Sequence, residues 1–156
     1  MQGPRRSFNG VQFLSVVPPP SRPTRIILAE DNPADVFLVR EALKRENIDC
    51  EIHVIADGEE AIAYIDSLDA DSALPTFDLL LLDLHLPRQD GESILTRLRS
   101  SRRSATVPVV VLTASDSTAE KKSIERHQAV HFFRKPSSLT EFMELGPVAK
   151  TALSSR

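Results

Sequence analysis

The chain has 156 residues, enough for one domain with its own buried core and too few for two of ordinary size. Its net charge of −3 hides an asymmetry: the first 25 residues hold Arg5, Arg6, Arg22 and Arg25 and no acid, so 15 cations face 22 acids in the rest, which carries −7. An acidic body argues against nucleic-acid binding by phosphate neutralisation, which needs clustered Lys and Arg. Cys50 is the only cysteine, which excludes an internal disulfide, a thiolate metal cluster and a C-x-x-C redox pair, and suits a reducing cytosol. The longest apolar runs, around Leu79 to Leu82 and Val107 to Leu112, fall far short of the roughly 20 residues needed to span a bilayer, so a cytoplasmic protein without a membrane segment is expected.

In chain order, Pro18, Pro19, Pro20 and Pro23 make a helix-incompatible spacer, and residues 1–24 read as a flexible leader. Arg5 and Arg6 ahead of Val11 to Val17 do not make a secretion signal, because Asn9, Gln12 and Ser15 interrupt the stretch and no small-residue cleavage site follows. The folded domain is expected over 25–146, with a tail at 147–156. Arg25 to Ala29 reads as a strand, and Ala34 to Glu46 as a helix with Val36, Val39 and Leu43 at helical spacing. Glu51 to Ile55 is a second strand, Glu59 to Leu68 a second helix and Phe77 to Leu82 a third strand. Gly91 to Arg99, Val107 to Thr113, Thr118 to His127, Val130 to Phe133 and Leu139 to Leu145 complete five strand and helix units. Leu79 to Leu82 and Val109 to Leu112 are apolar without alternation, so both faces of those strands are buried and helices cover both sides. The fold class is therefore α/β, a doubly wound five-stranded parallel sheet.

In such a sheet the positions just past each strand converge on one crevice. The first strand ends in Glu30-Asp31, the third in Asp83, the fourth in Thr113 and the fifth in Arg134-Lys135-Pro136, while Asp57 after the second reads as a helix cap. Each has an ordinary explanation when taken alone: Glu30-Asp31 before Asn32-Pro33 can start a turn and cap a helix, Thr113 can be a satisfied hydroxyl, and Lys135 can be solvated. Their joint occurrence in order at matching strand ends points to chemistry. Three converging carboxylates repel unless a cation sits among them, and oxygen ligands with room for water suit Mg²⁺. Lys135 and Thr113 then complete a cradle for a phosphoryl group.

On these residues the sequence resembles the receiver domains of two-component response regulators, across roughly residues 25 to 145. The marks are the acidic pair Glu30 and Asp31, the acceptor Asp83, a hydroxyl 30 residues later at Thr113, and Lys135-Pro136 a further 22 on. Leu82-Asp83-Leu84-His85-Leu86-Pro87-Arg88-Gln89-Asp90-Gly91 looks like the family's acceptor loop. The segment Glu30 to Asp35 and the long connection ending Ala73-Leu74-Pro75-Thr76-Phe77-Asp78 make it look most like the single-domain regulators found with bacteriophytochrome-type histidine kinases. The resemblance implies the flavodoxin-like strand order 2-1-3-4-5. It also implies direct Mg²⁺ ligation by Asp31 and Asp83, ligation by Glu30 through water, and a further ligand in the backbone carbonyl of His85. Asp83 would be the nucleophile towards a phosphohistidine of a sensor histidine kinase, with Lys135 and Thr113 on the phosphoryl oxygens. Phe132 stands where the family's switch aromatic rotates, and since Phe132 and Phe133 alternate across a strand, Phe132 is expected to face outward. A cis Lys135–Pro136 bond is also implied.

Two departures stand out. Gln128 occupies the place where the family commonly has a left-handed Gly after the fourth helix, and Gly146-Pro147 is expected to break the fifth helix, leaving the fourth-helix to fifth-helix face, and with it homodimerisation, open. With about ten residues after the domain, the chain is expected to signal by conformational change and protein contact rather than through an output domain; the alternative is a phosphorelay intermediate or phosphate sink. Catalysis is not expected beyond Mg²⁺-dependent self-phosphorylation and slow self-dephosphorylation. An aspartate-nucleophile phosphatase would place its nucleophile and a second Asp two residues on after the first strand, whereas Asp83 follows the third and His85 stands two on. A flavodoxin-like nucleotide binder lacks its Gly-rich loop here, with only five glycines in the chain.

Overall fold

The computed structural model describes residues 22–155. The strands are β1 (Thr24–Ala29), β2 (Cys50–Ile55), β3 (Leu79–Asp83), β4 (Val109–Thr113) and β5 (Val130–Arg134). Between and after them run α1 (Pro33–Arg45), α2 (Gly58–Ala70), α3 (Gly91–Arg99), α4 (Thr118–Glu125), α5 (Leu139–Phe142) and α6 (Leu145–Ser154). All pairings are parallel and the order is β2-β1-β3-β4-β5, the expected 2-1-3-4-5. Alternate residues of each strand feed opposite faces. Ile27, Leu80, Leu82, Val109 and Val111 pack with Ile65, Leu68, Ile94 and Leu98 of α2 and α3. Ile26, Leu28, Leu79, Leu81, Val110 and Leu112 pack with Val39 and Leu43 of α1 and with Leu145 and Ala149 of α6. β3 and β4 are buried along their whole length, which is why they read as unbroken apolar runs.

Local signals set the helix starts. Asn32, Asp57, Asp90, Ser117 and Ser138 each cap a helix by accepting a backbone N–H through the side chain, and Pro33 follows its cap at the first helical position, where a missing N–H costs nothing. α1 ends on Asn47 in the left-handed region (φ 59°), a role Asn tolerates.

Three expectations need correction. The leader does not extend to residue 24: the Arg22 guanidinium donates to both oxygens of Asp78 at 2.8 and 3.0 Å, and the Arg25 N–H donates to the same carboxylate at 2.8 Å, so Arg22 is already part of the folded body. Residues 1–21, with Pro18 to Pro20 of the proline spacer and Val11 to Val17, lie outside the described residues. Residues 147–154 are not a tail. The expected break of the fifth helix is present at residues 143–144, between α5 and α6; Pro147 then falls in the first turn of α6, where proline is tolerated, and α6 buries Leu145, Gly146, Ala149 and Ala152. Gly146 is what lets α6 approach α1, since a Cβ there would lie 2.7 Å from the Ala42 carbonyl oxygen. The Lys135–Pro136 peptide is trans, the form X–Pro bonds ordinarily prefer.

The left-handed residue after α4 is Ala129 (φ 56°), one position beyond Gln128. Its side chain is exposed, so a glycine there forfeits little buried area. A left-handed L-residue costs roughly 1–2 kcal/mol, partly offset by the greater freedom glycine brings to the unfolded chain, so Ala129→Gly is expected to raise unfolding free energy by about 1 kcal/mol in a urea titration.

Candidate functional site: a carboxylate cluster at the strand ends

The site lies at the carboxyl ends of β1, β3, β4 and β5. Burial of β1 up to its end carries Glu30 inside: its side chain is fully buried, whereas Asp31, one step on, is exposed. Asp83 closes β3 and remains largely buried. One oxygen from each of Glu30, Asp31 and Asp83 lies within 4.8 Å of the others. Asp83 Oδ1 accepts the His85 backbone N–H at 2.9 Å, which orients the carboxylate, and Glu30 Oε2 accepts the Asn32 N–H at 3.1 Å. The loop after β3 is held by close packing at Gly91, where a Cβ would lie 2.8 Å from the Leu84 Cα, and by the Gly58 N–H donating to the Pro87 carbonyl at 2.9 Å.

Lys135 reaches in from the end of β5. Its Nζ donates to Glu30 Oε1 at 2.7 Å, Asp35 Oδ2 at 2.8 Å and Asp83 Oδ2 at 3.1 Å, so its three protons have three carboxylate acceptors. Asp35 is the member that sequence reasoning missed as a site residue. It lies in the first turn of α1, and the signal available was its position four residues after Asp31 at the start of a helix entering the crevice. Burial alone would lower the Lys135 ammonium, but the hydrogen bonds to Asp35 and Glu30 and the charges of Glu30 and Asp83 outweigh it, and it stays protonated well above the ordinary lysine range.

Thr113 is buried at the end of β4, where its Oγ1 accepts the Ser115 N–H at 3.0 Å, leaving the hydroxyl proton free to donate elsewhere. Its carbonyl accepts the Lys135 backbone N–H at 2.8 Å, which joins the two strand ends. The His85 imidazole is exposed and sits 3.3 Å from Glu120 of α4. Phe133 is buried against Phe142, while Phe132 is half-buried on the opposite face of β5, as the alternation requires.

Burial pushes the Glu30 carboxyl up to about 7, with the Asp83 charge adding to the rise, even though Lys135 and the Asn32 N–H both favour its ionised form. One ammonium therefore does not offset what burial costs the ionised Glu30 carboxylate. An all-oxygen, acid-rich set with that residual demand for positive charge fits a hard divalent cation such as Mg²⁺.

Residues 26–145 match the model of the response regulator receiver domain. The chain belongs to that family. It is 40% identical over 93 residues to response regulator Rcp1 of Synechocystis sp., a match covering 60% of this chain and 63% of Rcp1. Among solved structures it is similar to the phosphorylated cyanobacterial phytochrome response regulator RcpA (TM-score 0.76, 29% identity, 86% of this chain and 97% of that one). It is also similar to the Mn²⁺-bound form of Rcp1 (TM-score 0.74, 30% identity, 86% and 97%). No described helix is long and apolar enough to cross a membrane.

Proposed function

We propose that this chain is a phosphorylation switch in which Asp83 accepts a phosphoryl group from the phosphohistidine of a sensor histidine kinase, as a cytoplasmic partner of a phytochrome-like sensor. The observation that carries the reading is the sharing of the Lys135 ammonium among Glu30, Asp35 and Asp83, two of which also belong to the Glu30, Asp31 and Asp83 set: a cation held at the acceptor with anions arranged to recruit another. The similarity to RcpA and Rcp1, a phytochrome regulator and a metal-bound regulator, supports it.

In the transfer, an Asp83 carboxylate oxygen attacks phosphorus, the P–N bond to the kinase histidine breaks, and that bonding pair returns to the imidazole. The His85 N–H fixes the carboxylate for attack. Lys135 stays at the acceptor and takes up charge on the phosphoryl oxygens, and the Thr113 hydroxyl donates to another. Glu30, Asp31 and Asp83, with the His85 carbonyl, would hold Mg²⁺, which when bound supplies positive charge to offset the acceptor and phosphoryl oxygens. The acyl phosphate draws Thr113 inward and Phe132 follows, altering the α4 and β5 surface through which the chain signals by contact.

Purified protein given a small phosphodonor should gain one phosphate by intact mass, with full dependence on Mg²⁺ and with none on Asp83→Asn. Absence of uptake by the wild-type chain at saturating donor and Mg²⁺ would sink the reading.

A further inference from the structure

Beside the acceptor, between β5 and the segment entering α4, lies a cavity of about 300 Å³ whose lining includes Leu84, Thr113, Ser115, Lys121, Phe132 and Arg134. Leu84 follows the acceptor directly and Thr113 is the strand-end hydroxyl, so the space adjoins the position where phosphate would sit. Phe132 borders it. The Lys121 ammonium, projecting from α4, lies over the Phe132 ring at 5.4 Å from its centroid. Two ion pairs fasten the same segment: Asp116 Oδ1 lies 2.9 Å from Arg134 Nε, and Glu120 lies 3.3 Å from His85 Nε2. Asp116–Arg134 joins two exposed side chains and His85 is exposed too, so these contacts are weakly coupled to the fold. The lysine contact is different, because it acts on the ring itself.

We infer that Lys121 is a positioning residue that holds Phe132 in its present orientation and so sets how readily the switch turns. The inference rests on the reading of Phe132 as the moving aromatic. The negative face of the phenyl ring attracts the ammonium, and a ring that rotates into the cavity leaves a cation fixed to α4 behind. At an exposed site such a contact changes a two-state population by about two- to fivefold. Removing the charge without removing the side chain's bulk should therefore shift Phe132 towards its inward orientation before any phosphate arrives.

The test uses the full chain with fluorinated phenylalanine, the Phe132 resonance being assigned by its loss in Phe132→Leu. In the wild type, phosphorylation with Mg²⁺ should move this resonance. Unphosphorylated Lys121→Met should move it part of the way in the same direction, by about a two- to fivefold gain in the inward population, while Lys121→Arg, which keeps a cation, stays at the wild-type position. If the wild-type resonance does not respond to phosphate although Asp83 is labelled, the switch role of Phe132 is wrong and the latch falls with it. If it responds but Lys121→Met stays at the wild-type position, or Lys121→Arg moves like Lys121→Met, the latch alone is overturned.

Discussion

Lys135→Met is expected to lower the stability of the metal-free protein at neutral pH by about 3 kcal/mol, the low end for removing one partner of a buried charge cluster because the mouth of this site is open to solvent. Three carboxylates accept from that ammonium, and the methionine leaves all of them facing one another across the crevice. Two accompanying results identify the mechanism. The loss should shrink near pH 5, where Glu30, already pushed up to about 7 by burial, takes a proton and removes one of the charges. It should also shrink on adding Mg²⁺, which replaces the missing cation, and Mg²⁺ should bind the variant more tightly than the wild type because Lys135 no longer repels it. Urea titrations followed by circular dichroism, at two pH values with and without Mg²⁺, measure all three effects.

Glu30→Gln should remove a pH dependence rather than simply destabilise. In the folded, metal-free protein the Glu30 carboxyl titrates at about 7, above its ordinary 4.5, so the folded state binds this proton more tightly than the unfolded chain does. The stability associated with the protonated form is complete below pH 4.5 and is lost as pH rises through 7. Glutamine cannot titrate. The stability of Glu30→Gln relative to wild type should therefore rise across that window, by about 1–2 kcal/mol after discounting for relaxation and solvent entry at the site. Saturating Mg²⁺ should flatten the wild-type slope and abolish the difference in pH dependence, whatever constant offset the lost Lys135 hydrogen bond introduces.

The parts of the site legible in the sequence are those that topology alone fixes. In a parallel sheet the residue after each strand must face one crevice, so Glu30, Asp83, Thr113 and Lys135 could be assembled from strand assignments without knowing a single angle. Asp35 could not, because its reach to Lys135 depends on how far α1 is rotated about its axis, and that is set by packing of Val39 and Leu43 beneath it. The ends of the domain are not legible for a related reason. Arg22 and Asp78 are separated by 56 positions, and nothing local announces that pair. The break that Gly146-Pro147 announces is present between α5 and α6, but the resumption of helix beyond it is not written locally, because α6 is held by docking against α1 at the glycine. Asp69 shows the same limit on the far side of the fold. Its carboxylate is held well below the usual carboxylate range by the Ser101 hydroxyl, Arg97 and the N–H groups of Arg103 and Arg102, a clasp of α2 to α3 and the segment after it that only the folded chain assembles.

The central claim, an acyl phosphate on Asp83, is tested most directly by trapping. Borohydride reduces an acyl phosphate to an alcohol, so protein phosphorylated with Mg²⁺ and then reduced should yield, after proteolysis, a peptide carrying homoserine at position 83 and at no other aspartate. A phosphate that survives reduction and maps to Thr113, Ser115 or His85, or homoserine at Asp31 or Asp35, would contradict it.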